Sequence, residues 1–60
     1  GGPGSGGCQW KEGDMVVHGT FGSGVIQSIT PMGNDHLLEI LFDKAGNKKL
    51  MANFARLKAQ

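Results

Sequence analysis

Gly13-Asp14-Met15-Val16-Val17-His18-Gly19-Thr20-Phe21-Gly22-Ser23-Gly24-Val25-Ile26 reads as a short strand, a glycine-punctuated bend and a second strand. Side chains two apart in a strand share a face, so Val16 and His18 point the same way. Gly22 and Gly24 bracket Ser23 just after Phe21, where the chain must turn sharply and positive φ costs little only for glycine. These glycines do not form a phosphate-binding loop. A Walker loop ends in Gly-Lys-Ser/Thr and a dinucleotide fingerprint opens a helix, whereas β-branched Val25 and Ile26 follow here. The stretch predicts the bend of a small barrel, with Gly22 and Gly24 as its structural residues.

Outward from this stretch, the pattern stays β. Met15 to His18 and Val25 to Thr30 are the first two predicted strands. Pro31-Met32-Gly33-Asn34-Asp35 is a dense turn signal, and His36 to Phe42 alternates Leu38, Ile40 and Phe42 against Leu37, Glu39 and Leu41. Asp43-Lys44-Ala45-Gly46 fits a type I turn closed by a glycine bulge, followed by a return strand from Asn47 to Met51. Ala52-Asn53-Phe54 predicts one helical turn, and Ala55 to Leu57 a last short strand. About five strands are too few for an immunoglobulin-like sandwich and suit a small, bent barrel. The predicted core is Trp10, Val16, Ile26, Leu38, Ile40, Phe42, Leu50, Phe54 and Leu57.

Sixty residues allow one domain. Residues 1–9 contain Gly-Gly-Pro-Gly-Ser-Gly-Gly, the composition of a flexible linker or a cloning remnant, and residues 10–60 form the predicted barrel. A domain of that size buries only about 60% of its unfolded surface and has little room for a deep substrate cleft. Six Lys/Arg against five Asp/Glu give a net charge of +1, too small a field to imply nucleic acid or an anionic membrane. Cys8 is the only cysteine, so there is no internal disulfide, and with His18 and His36 it is too sparse for a zinc site. No run is apolar enough to span a bilayer and no secretory leader pattern is visible. The expected setting is the cytoplasm.

The ordered set Trp10-x-x-Gly13-Asp14-x-Val16-x-His18-x-x-Phe21-Gly22-x-Gly24, Leu38-x-Ile40-x-Phe42, Gly46-x-Lys48-x-Leu50 and Phe54-Ala55-x-Leu57 resembles the C-terminal domain of PcrA/UvrD-type superfamily 1 DNA helicases. The resemblance covers Trp10 to about Leu57. It departs from the family pattern at Asn47, where an apolar residue is usual, and at Lys49, which adds a second charge. It implies an all-β, five-stranded Tudor-like (SH3-like) barrel without catalytic residues, tethered to a helicase motor. ATP and magnesium would then be bound by the motor and not by this domain. The implied partner is an RNA polymerase subunit, met during transcription-linked DNA repair, with the domain itself a monomer.

The residues weighed for partner binding are Lys48, Lys49, Phe21 and Met51. Lys48 shares parity with Leu50, so its stem can pack at the barrel rim while its ammonium reaches water; the plainer reading is solubility. Phe21 fits either the core or a binding edge. His18, beside Val16, is expected to be a satisfied structural histidine, and His36 to be exposed. A methyl-lysine cage lacks aromatics, with no Tyr in the chain. The stronger alternative is an accessory nucleic-acid-binding barrel that contacts DNA through Lys44, Lys48, Lys49, Arg56 and Lys58. Met15, Val17, Leu37, Leu41 and Met51 take the outward parity yet are apolar, and a contiguous group of them would mark an interaction surface.

Overall fold

The computed structural model describes residues 10–60, so the reading of residues 1–9 and of Cys8 lies outside the described residues. The chain runs β1 (Met15–His18), β2 (Gly22–Met32), β3 (Asp35–Phe42), β4 (Gly46–Met51), α1 (Ala52–Ala55) and β5 (Lys58–Ala59). All strands join one antiparallel sheet in the order β4-β3-β2-β1-β5. The expected all-β, five-stranded Tudor-like architecture is present. Its hydrogen bonding stays open between β4 and β5 among the described residues.

A flat single sheet could not hide one face without a second layer. Here Val16, Ile26, Leu38, Ile40 and Phe42 are 0–2% exposed, which requires the sheet to curl around them. The long strand β2 makes this possible through a bulge between Ile26 and Ser28. The extra residue, Gln27, resets the alternation so that Ile29 joins Ile26 at the core. Gly13 N–H donates to the Ile26 carbonyl (2.8 Å) and Ile26 N–H to the Asp14 carbonyl (2.9 Å), fixing the incoming chain at that bend. Trp10, Leu50 and Leu57 pack around the core as partly buried residues.

Four expectations are corrected. β2 extends through Pro31 and Met32, which pair with His36 and Asp35, so the turn shrinks to Gly33–Asn34. Gly33 takes φ +62 at the first turn position, the signature of a type II′ hairpin. Proline is tolerated there because β1 reaches only Gly22–Val25 of β2, leaving Pro31 on an open edge. The final strand is Lys58–Ala59, not Ala55–Leu57, because Ala55 still belongs to α1 and Arg56 ends it in the left-handed region at φ 52. Phe54 is 82% exposed; the residue of α1 that enters the core is Ala55, three positions after the partly buried Ala52 on the same helical face. His36, expected to be exposed, is half-buried.

Met51, preceding α1, makes no side-chain cap. Asp35 does so from across the sheet: its Oδ1 accepts from Asn53 N–H (3.1 Å) and His36 N–H (2.7 Å). Asp35→Ala is expected to cost about 1 kcal/mol. The loss would show first as faster hydrogen exchange at the Asn53 amide; unchanged exchange there would mean that packing alone holds α1.

Candidate interaction surface

Two hairpins of the same form sit side by side at one end of the sheet. His18 pairs with Gly22 and Phe42 with Gly46, each across a three-residue loop. Both closing glycines have φ +82, where any side chain would be strained. Asp43 N–H donates to the Ser23 carbonyl (2.9 Å) and ties the two turns together. A groove of about 230 Å³ between them is lined by Phe21, Gly22, Ser23, Asp43 and Lys44.

The first turn is organised by His18. Its Nδ1 accepts from Thr20 N–H (2.9 Å) and Phe21 N–H (3.1 Å). The Phe21 ring stacks on the imidazole, with centroids 4.6 Å apart and planes at 25°. Phe42 completes the cluster, 5.3 Å from Phe21 and edge-on to His18 at 6.0 Å. Lys48 reaches it from β4. Its register partner is the buried Ile40, so its stem runs along the core side of the sheet, and its Nζ lies 5.4 Å from the Phe21 centroid. A cation over an aromatic face at such a partly exposed site contributes about 0.5–1 kcal/mol.

The structure therefore brings Lys48 and Phe21 together and separates the other two candidates from them. Lys49 lies opposite Glu39 and Met51 opposite Leu37, both on the outer face, because adjacent strand residues point to opposite sides. Gly22 has the left-handed backbone expected of the bend. Gly24 does not, and the reason given for it is corrected: Gly24 is buried in β2, and an added Cβ would lie 2.7 Å from Phe42 Cδ1 and 2.9 Å from Ile40 Cγ2. Close packing, not φ, demands glycine there. The Gly22-Ser23-Gly24 run leads into a strand paired with β1 rather than into a helix.

The five outward apolar residues do not form one patch. Met15, Val25 and Leu41 lie in one cross-strand row, with Val17 two residues along β1. Leu37 and Met51 form a second group beside Thr30. Between them runs a polar row of Ser28, Glu39 and Lys49. Glu39 accepts from Ser28 Oγ (3.3 Å) and from Asn47 Nδ2 (2.9 Å). Val25, Ser23 and Asp43 escaped the sequence reading because their neighbours come from other strands. The turn role of His18 carried a signal that was available: an acceptor side chain two and three residues before the amides of a tight loop.

No helix is long and apolar enough to cross a membrane, and no group of three or more potential metal ligands occurs among the described residues. A family model described as the PcrA/UvrD tudor domain matches residues 13–58. The chain belongs to that family. A segment of the ATP-dependent DNA helicase PcrA of Staphylococcus epidermidis is 37% identical to this tudor domain over 46 residues. The corresponding segment of PcrA from Staphylococcus aureus is 35% identical over the same length. Each match covers 77% of the chain and 6% of the helicase, so this tudor domain spans a small fraction of the curated relatives' length.

Proposed function

We propose that this tudor domain is a non-catalytic docking module of a PcrA/UvrD-type ATP-dependent DNA helicase, linking the motor to an RNA polymerase subunit in transcription-linked DNA repair. The observation that carries the reading is Lys48 held against Phe21 at the rim of the paired hairpins. A lysine serving only solubility gains nothing from a fixed position, whereas one packed on an aromatic ring has already lost part of the freedom that binding would remove. ATP and magnesium belong, on this reading, to the motor. The domain docks as a monomer.

The basic residues also weigh for a protein partner over DNA. Lys48 lies on the core side of β4, Lys49 on the outer face, and Lys58 on β5 at the opposite edge of the sheet. A phosphate backbone is tracked by cations along one path. Lys48→Ala is expected to weaken binding to purified core RNA polymerase by about 1–2 kcal/mol while costing the fold no more than the about 0.5–1 kcal/mol of its contact with Phe21. Lys58→Ala, on the far edge, should leave affinity within about twofold of the parent. Biolayer interferometry at two salt concentrations checks both. Equal losses at Lys48 and Lys58 with a steep salt slope would favour DNA, and absence of any polymerase binding by the intact domain would reject the proposal.

A further inference from the structure

We infer that His18 is a positioning residue for this surface: as the neutral Nε2–H tautomer, it uses its Nδ1 lone pair to hold the 19–21 turn and so presents Phe21 to Lys48. The inference rests on the docking reading for its importance in binding, but not for its geometry. Two backbone N–H groups converge on Nδ1, at 2.9 Å from Thr20 and 3.1 Å from Phe21. A ring nitrogen that accepts carries no proton, so in the neutral ring the proton sits on Nε2.

This arrangement fixes Phe21 from both sides. Its own N–H is bound to His18, and the next residue, Gly22, enters the sheet as the register partner of that same histidine. Little backbone freedom remains, and the ring comes to rest on the imidazole 4.6 Å away, within reach of Lys48. A histidine that served only as core filler would need neither converging hydrogen bond. Asparagine can supply a similar acceptor without the ring, and phenylalanine the ring without the acceptor. The two contributions of His18 are therefore separable, and the acceptor is the one assigned to positioning.

The tautomer is read directly from long-range proton–nitrogen NMR correlations on the 60-residue chain at about pH 8, where an ordinary imidazole is neutral. The expected result is protonated Nε2 with bare Nδ1, and a protonated Nδ1 would overturn the inference. Ring-current displacement of the Lys48 ε-protons reports its approach to Phe21. That displacement should survive in His18→Asn and collapse in His18→Phe. Polymerase affinity should follow, within about threefold of the parent for the first and about tenfold weaker for the second. Retention of the displacement in His18→Phe, or its loss in His18→Asn, would show that the acceptor does not position Phe21. Should His18→Phe fail to fold, the tautomer and His18→Asn still decide. Because both spectroscopic readouts need no polymerase, a domain that binds none but gives the expected spectra would refute the docking reading alone.

Discussion

Gly24→Val is expected to remove most of the domain's stability. The nearest obstacles to a new Cβ are the ring of Phe42 at 2.7 Å, Ile40 Cγ2 at 2.9 Å and the Leu41 carbonyl oxygen at 3.0 Å. None can yield cheaply. Phe42 and Ile40 are at most 2% exposed, and the carbonyl belongs to the strand paired with β2. Overpacking a tight core costs about 1–3 kcal/mol, and valine adds two methyl groups beyond the Cβ that already clashes. A domain this small has only about 3–5 kcal/mol in hand. Gly22→Val should also destabilise, by about 1–3 kcal/mol, but for a different reason: open space surrounds its Cβ and the cost lies in the backbone at φ +82. Urea titration of both variants tests the pair. If Gly24→Val kept its midpoint but lost its partner, the glycine would belong to the binding surface and the packing argument would be wrong.

Phe42→Ala should destabilise by about 3–5 kcal/mol, the usual cost of deleting a buried aromatic. Phe42 belongs both to the core and to the cluster under Phe21, so folded material recovered at low temperature should also bind its partner less well. Phe54→Ala is the informative contrast. Phe54 is 82% exposed, and its removal should change stability by no more than about 0.5 kcal/mol. Chemical denaturation at low temperature separates the two. Similar losses at both positions would mean that Phe54 packs against something in solution and that α1 is turned the other way.

The difference between these phenylalanines marks where sequence stops being legible. Phe42 sits in an eight-residue strand whose alternation exposes its face unambiguously, and the same logic finds Val16, Leu38 and Ile40. Phe54 sits in a four-residue helix, too short to display a period, so its size was the only guide and it misled. The strand after it was displaced for a related reason: Arg56 takes a left-handed conformation that no pattern in its neighbours announces. Lys48 could be placed near the rim by its parity with Leu50. Grouping Lys49 and Met51 with it followed nearness along the chain, where the pleat separates them. Gly24 was recognised as structural for the wrong cause. Its constraint comes from Phe42 and Ile40 on the neighbouring strand, and a single chain of letters does not say which strands will be neighbours.

Glu39 has a further consequence in the colloidal behaviour of the molecule. Met15 is 58% and Leu41 49% exposed, and with Val25 they form an apolar row on the outer face. Leu37 and Met51 lie on the same side of the sheet, and only one row intervenes. The carboxylate in that row accepts hydrogen bonds from Ser28 and Asn47, which favour its place between the two groups. Any two molecules meeting across this face must strip water from a charge before their apolar groups can merge. Glu39 thus holds the position of a gatekeeper charge between two apolar groups on the outer face of a small sheet.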